Sequence, residues 1–199
     1  MKSSRWRDQA GRNWLFFRQW VRAPLSTASV VPSSRALAEK MIAQVGSDAR
    51  HVIELGAGTG VFTEALLERH ARLEQLLVVE LNPEMHTQLC RRFPGANVVE
   101  GDAAELETIV ATQTRFGKRN VDAIVSGLGL LSMPPSVVSA ILTSAFSVLK
   151  PGAPFIQFTY GPTCPVGRET RDALGLSSER VAFTLRNIPP ASVYVLRRR

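Results

Sequence analysis

From residue 34 onward, short apolar runs alternate with longer stretches whose apolar residues recur every three or four positions. The runs are 51–55 (HVIEL), 75–81 (QLLVVEL), 97–101 (NVVEG), 121–127 (VDAIVSG) and 154–160 (PFIQFTY). Each is bounded by Gly, Pro or Asn, and each reads as a strand. Between them the spacing predicts helices over 34–45, 60–71, 83–93, 103–114 and 136–149, with a shorter one over 168–174. Punctuation agrees: a serine precedes the first helix, Gly46 and Ser47 end it, Pro83 opens the third, and Pro94-Gly95 and Pro151-Gly152 break their helices. A closing hairpin is predicted, with arms over 181–188 and 191–196 turned at Pro189-Pro190. Strands alternating with helices, then an antiparallel hairpin, describe an α/β fold: a doubly wound sheet of about seven strands with an antiparallel last strand. Right-handed crossovers bring the turns at 56–60, 80–83, 102 and 126 to one edge, and open α/β sheets bind ligands at that edge.

The pattern before residue 34 differs. Trp6, Ala10, Phe17 and Val21 recur at near-helical spacing with Trp14 alongside, and the arginines fall largely between them. This predicts a basic amphipathic helix over 5–22 ending before Pro24, followed by a small-residue connector over 24–31. Such a helix suits a lid, a nucleic-acid contact or a membrane surface. Tryptophan favours the last, because rings settle at the headgroup boundary while each cation gains about 1 kcal/mol from anionic lipid. The division is therefore 1–30, a basic amphipathic membrane-binding helix with its connector, and 31–199, the α/β domain.

Charge sharpens this division. The 199 residues carry a net +7, but residues 1–22 hold +5, Arg197 to Arg199 hold +3, and everything between comes to −1. A near-neutral body with basic ends fits an anionic surface as partner. The two cysteines, Cys90 and Cys164, have no metal-ligand spacing and are far apart, so neither zinc nor a disulfide framework is indicated and a reducing cytoplasm fits. No run reaches the roughly 18 apolar residues of a spanning helix, and no secretory signal opens the chain. The expected location is cytoplasmic, peripheral at the cytoplasmic face of the inner membrane.

The chemistry gathers around HVIELGAGTGVFT, residues 51–63, where a strand enters a glycine-rich turn that opens a helix. Gly56, Gly58 and Gly60 allow a ligand to approach backbone N–H groups. Glu80 follows Gly60 by twenty residues, where a nucleoside site keeps its ribose-binding acid. Asp102, just past the third run, is positioned to accept from an adenine amino group. The spacing is G-x-G-x-G after Glu54, where a dinucleotide site asks for G-x-G-x-x-G. The competing account makes Glu54, Glu80 and Asp102 merely solvated carboxylates at strand ends.

The glycine pattern resembles the S-adenosylmethionine loop of class I methyltransferases, whose sheet is Rossmann-like. That resemblance implies Glu54, Gly56, Ala57, Gly58 and Gly60 around the methionine and ribose, and Glu80 on the ribose hydroxyls. It also implies Leu81 on the adenine face and Asp102 with Ala103 at its edge, with S-adenosylhomocysteine as the product. Three further stretches, FFRQWVRAPLSTASVVPSSRALA (16–38), VSGLGLLSMPP (125–135) and FIQFTYGP (155–162), resemble the bacterial phospholipid N-methyltransferases. These soluble class I enzymes convert phosphatidylethanolamine to phosphatidylcholine. The resemblance implies Ser33 and Ser34 against the methionine end of the cofactor; Ser126, opening the loop that the sheet edge places beside the cofactor, is a candidate catalytic and cofactor-binding residue. The resemblance also implies lipid contacts from Trp14, Phe17, Arg18, Arg22, Gly127 and Leu128, with the phosphate on the two arginines. The family's loop usually reads SGLPLLNMP, so Gly129 and Ser132 are departures.

Tyr160, ending the fifth strand, is the candidate to receive the headgroup, by cation–π contact or as a hydrogen-bond partner of the nitrogen; the alternative is a core tyrosine with a satisfied hydroxyl. His51 and His70 read as structural and His86 as solvent-facing. The main alternative is an rRNA adenine dimethyltransferase. Such enzymes place an aromatic after the fourth strand to stack the extruded base, whereas this chain has Ser126-Gly127-Leu128-Gly129, so no nucleic-acid partner is expected. A lipid-surface binding protein without catalysis is the third reading. No metal is expected.

Overall fold

The computed structural model describes residues 34–69, 75–113, 116, 120–161, 163–187 and 189–199. The predicted helix over 5–22, its connector, Trp14, Phe17, Arg18, Arg22, Ser33 and His70 lie outside them. The chain divides into two units, Met1–Val31 and Pro32–Arg199, and the sheet with its helices belongs to the second.

Five strands, β1 (His51–Leu55), β2 (Gln75–Glu80), β3 (Asn97–Glu100), β4 (Ala123–Ser126) and β5 (Phe155–Thr159), run parallel. β6 (Leu176–Thr184) and β7 (Ala191–Arg198) form the hairpin, and β7 inserts between β5 and β6 in the order β3-β2-β1-β4-β5-β7-β6. Only β7 opposes the rest. The seven-stranded doubly wound sheet expected from the alternation is therefore present.

Helices cover both faces, and the near-continuous apolar strands follow from that. Against one face lie α1 (Arg35–Ile42), α2 (Val61–Arg69) and α3 (Pro83–Arg92), whose Leu37, Met41, Phe62, Leu66 and Leu89 share a core with Val52, Val78, Val125, Ile156 and Val193. The alternate strand residues, among them Ile53, Leu77, Ile124 and Phe155, are buried as well. On that side α4 (Leu106–Thr112) packs on α5 (Pro135–Val148), and Phe155 meets the α5 ring Phe146. A last short helix, α6 (Arg168–Ala173), leads into β6.

Several boundaries differ from expectation for identifiable reasons. α1 stops at Ile42 because Gln44 and Val45 bond to the third carbonyl back, a tightened turn that ends the helix before Gly46. The predicted helix over 103–114 splits: the Asp102 side chain caps the N–H of Ala104, setting a 3-10 turn over Ala103–Glu105 before α4 begins. β6 starts at Leu176, not at 181. Its first turn of sequence, Ser177-Ser178-Glu179, has no apolar run, and the ladder to β7 draws it into the sheet regardless. The register shifts between Arg180 and Ala182.

The amino edge of the sheet is fastened by Asp122, which accepts from the N–H groups of Arg50 and His51 and from Lys150. Burial raises the Asp122 pKa, but the Lys150 hydrogen bond, the two N–H groups and the Lys150 charge outweigh it and hold the carboxyl below its ordinary value. His51 packs edge-on against Phe116, consistent with a structural role. Among the described residues no helix is long and apolar enough to cross a membrane.

Candidate active site

At the carboxyl edge, each strand tip is stitched to its neighbour by one more ladder bond. Gly56 N–H donates to Val79 O at 2.8 Å, Gly101 N–H to Glu80 O at 3.0 Å, and Gly127 N–H to Leu55 O at 2.8 Å. The turns after β1, β2, β3 and β4 therefore converge, as the crossover rule requires.

The glycines of the first turn do different things. An added Cβ at Gly56 would strike Leu128, and one at Gly60 would strike Phe93, so this protein's own side chains occupy those positions. At Gly58 nothing lies within 4 Å, and its φ of +53° is what demands glycine. The turn is thus packed at its flanks and open at its centre. Opposite it, Gly127 approaches so closely that a Cβ there would sit 2.4 Å from Gly56 O.

Glu80 holds this turn in shape. One carboxylate oxygen accepts from Gly58 N–H and the other from Asn82 N–H, each at 2.9 Å. Each oxygen keeps further lone-pair capacity, which suits ribose hydroxyls. Asn82 in turn caps α3 through the N–H groups of Glu84 and Met85.

Glu54 is 0% exposed. One oxygen takes the Thr63 hydroxyl at 2.7 Å, and the other is buried with no hydrogen-bond partner. Burial, reinforced by the nearby Glu80 charge and opposed by Thr63, pushes its pKa up to about 8. Both Glu54 and Glu80 are buried, which excludes the account of solvated carboxylates for them. Asp102 is different: partly exposed, it spends one oxygen on Ala104 N–H, and burial, abetted by Glu105, raises its pKa despite that bond. Ala103 beside it is buried, and Leu81 is partly exposed.

The loop after β4 is held from beneath. Ser126 is fully buried, with its Oγ accepting from Leu128 N–H at 3.4 Å, so its hydroxyl shapes the loop. Gln157 on β5, to which the sequence assigns no role, donates its Nε2 to the carbonyls of Leu128 at 2.9 Å and Phe158 at 2.8 Å. A polar residue in the middle of the apolar FIQFT is the available signal. Gly129 has φ −77°, within the range a proline imposes, so the backbone here is one that the family's proline also fits. Ser132 ends a 3-10 turn over Leu130–Ser132 and is exposed.

Tyr160 is 40% exposed, so it is not a core tyrosine. Its ring meets Phe158 edge-on at 5.3 Å, and Phe158 meets Phe62 at 5.9 Å. An aromatic line thus runs from the first turn of α2, beside the glycines, to the β5 tip. Ser34 caps α1 by accepting from Leu37 N–H, and its own N–H donates to Asn187 Oδ1 at 2.8 Å. Asn187 is buried in the β6–β7 turn, where its other end donates to Pro189 O; no local pattern marks this anchor in the sequence. His86 is partly exposed on α3, its Nε2 3.5 Å from the Cys90 sulfur.

Two of these features fit S-adenosylmethionine: the unpartnered, buried Glu54 oxygen, and the open centre of a glycine turn held by Glu80. Fold and site together define a class I S-adenosylmethionine-dependent methyltransferase. Residues 52–152 match the family model described as "Methyltransferase domain", and the chain belongs to that family. It is similar to an ornithine lipid N-methyltransferase of Singulisphaera acidiphila, 30% identical over 188 residues that cover 92% of this chain and 95% of that protein. In fold it resembles a SAM-dependent methyltransferase from Archaeoglobus fulgidus, at TM-score 0.58 and 16% identity over 92% of this chain and 98% of the other. SAM-bound CalS10, an amino pentose methyltransferase from Micromonospora echinaspora, superposes at TM-score 0.55 and 16% identity, over 80% and 88% of the two chains.

Proposed function

We propose that this enzyme methylates the amine of a membrane lipid at the cytoplasmic face of the inner membrane. The substrate of this reading is phosphatidylethanolamine with its mono- and dimethyl forms, and the product lies toward phosphatidylcholine. The observation that carries it is the similarity to a lipid N-methyltransferase across 92% of the chain, rather than across the cofactor domain alone. The aromatic and arginine-rich pattern of residues 1–22 supports it, with Trp14 and Phe17 for the lipid and Arg18 and Arg22 for the phosphate.

The cofactor supplies a methyl group on a sulfonium, a leaving group that is already activated. What falls to the protein is alignment, exclusion of water and the fate of a proton. Glu80, Gly58 and Asp102 hold the adenosyl part, and Ser33, Ser34 and Ser126 belong to the methionine end. An ethanolamine nitrogen has an ordinary pKa near that of lysine, about 10, and must shed its proton before it can attack. Apolar surroundings lower that value, and Leu128 with the Phe62–Phe158–Tyr160 line supplies them. The exposed Tyr160 ring meets by cation–π contact the positive charge that develops on the nitrogen as the methyl arrives, which tolerates growth from no methyl to three better than a tight hydrogen-bonding cage does.

The test supplies S-adenosylmethionine labelled in its methyl group together with phosphatidylethanolamine, ornithine lipid or ribosomal RNA, and separates the products. Label in phosphatidylethanolamine supports the reading. Label only in ornithine lipid corrects the headgroup, and label only in RNA overturns the lipid assignment. Tyr160→Ala should lower lipid methylation at least about tenfold while sparing cofactor binding.

A further inference from the structure

Five large apolar side chains are conspicuously exposed among the described residues, and four of them cluster at one edge. Leu131 is 63% exposed, Tyr160 40%, Phe183 51% and Leu185 73%; the fifth, Leu67, lies away on α2. The register explains the gathering. β7 opposes β5, so the pairs Thr159↔Ser192 and Thr184↔Ala191 bring the β6–β7 turn to the same edge as the β5 tip and the glycine turn. Leu131 reaches toward Gly161, just past Tyr160.

Charge at this edge is one-sided. Residues 123–168 and 180–199 contain no Asp or Glu, whereas Arg186 stands exposed in the β6–β7 turn. A turn reading Phe183-Thr184-Leu185-Arg186, with apolar tips and a cation, has the make-up of a segment that enters a headgroup layer. Exposed apolar patches of this kind mark interaction surfaces. A protein partner of unknown charge gives no reason for carboxylates to be excluded from two stretches of sequence; an anionic lipid surface does. The Ser34 anchor on Asn187 also ties the start of α1 to this turn.

We propose that the β6–β7 turn, through Phe183, Leu185 and Arg186, together with Leu131, seats the carboxyl edge of the sheet on an anionic phospholipid bilayer. This rests on the lipid reading above. It adds a contact independent of residues 1–22, and it delivers the headgroup to Tyr160 rather than merely holding the protein near the membrane.

The full-length protein is sedimented with vesicles of phosphatidylglycerol and phosphatidylcholine, and with vesicles of phosphatidylcholine alone. The double variant Phe183→Ser/Leu185→Ser should lose at least about tenfold in affinity for the mixed vesicles, and Leu67→Ser should lose none. Arg186→Gln should cost about fivefold on mixed vesicles and nothing on phosphatidylcholine. Should the double variant fail to fold, Leu185→Ser alone carries the test, because that side chain is 73% exposed. Unchanged vesicle affinity overturns the proposal. So does a shift from dimer to monomer with vesicle affinity intact, which would make the patch a contact between copies. Methyl transfer to phosphatidylethanolamine in detergent micelles separates the two claims. A wild-type protein inactive there, and inactive on ornithine lipid as well, sinks the lipid reading, whereas an active one whose double variant still binds vesicles sinks only the docking surface.

Discussion

One edge of this sheet carries two chemistries. The tips of β1, β2 and β3 bear Glu54, Glu80 and Asp102 around a glycine turn. The tips of β4 and β5 and the β6–β7 turn bear no carboxylate and expose Leu131, Tyr160, Phe183 and Leu185. A cofactor with a sulfonium, an ammonium and ribose hydroxyls belongs with the first half. On the proposed lipid reading, a substrate with an anionic phosphate and apolar tails belongs with the second. The separation teaches that one fold can keep a cationic and an anionic ligand apart by assigning acids to strands on one side of the sheet only. The seam is Gly127, pressed against Gly56 O.

The largest effect should come from the seam itself. Gly127→Val puts a branched side chain where even a Cβ lies 2.4 Å from a backbone oxygen, so the two halves must part. Calorimetric titration should find S-adenosylmethionine binding weakened by about a hundredfold or more, with a lowered unfolding temperature; near-normal binding would refute the seam. Next, Glu80→Ala removes the acceptor of two backbone N–H groups as well as the proposed ribose partner. It should cost about 10- to 100-fold in cofactor affinity and leave vesicle binding unchanged, a split that sharpens the contrast between halves.

Glu54→Gln probes the acid half through pH. The folded protein holds this proton up to about pH 8, while the unfolded chain releases it from about 4.5 upward. The folded state therefore binds more protons across that window, and wild-type stability falls as pH rises through it. The variant should lack this slope, so its unfolding temperature relative to wild type climbs from about pH 5 to pH 8; parallel curves would contradict a buried, protonated Glu54.

On the other half, Gln157→Leu removes the buried amide donor shared by the Leu128 and Phe158 carbonyls, at a cost of about 1–3 kcal/mol. It should lower the unfolding temperature and disturb lipid methylation more than cofactor binding. Asp122→Asn, at the opposite edge, should disturb neither ligand. Its carboxyl is held below the ordinary value of 3.8, so its stabilisation is present at neutral pH and fades as pH falls below about 4. The variant should be less stable by about 1–2 kcal/mol at pH 7, and the difference should shrink as pH falls below about 4.

Strand and helix order, the glycine turn and the ribose acid are all legible in the chain, because apolar periodicity and Gly-Pro punctuation are local signals. The start of β6 is not, since Ser177, Ser178 and Glu179 carry no strand pattern and join the sheet only because β7 offers them a ladder. Tyr160 stands out by its place at the end of β5, but its exposure depends on how Phe158 and Phe62 stack beneath it. Thr63 and Gln157 escape a reading of the chain because nothing in the sequence says whose oxygen a buried hydroxyl or amide will meet.

By itself the sequence determined the doubly wound order and the class of cofactor, since both rest on residues close along the chain. Tertiary structure alone decided that the Glu54 carboxyl is pushed up to about 8, because that shift comes from burial under residues of other elements. It also decided that Gln157 braces a loop 29 residues away and that Asn187 receives Ser34 across 153. Above all, it decided that the β6–β7 turn lies at the cofactor edge. Strand direction and insertion order, not local pattern, determine which end of a hairpin faces which end of the sheet.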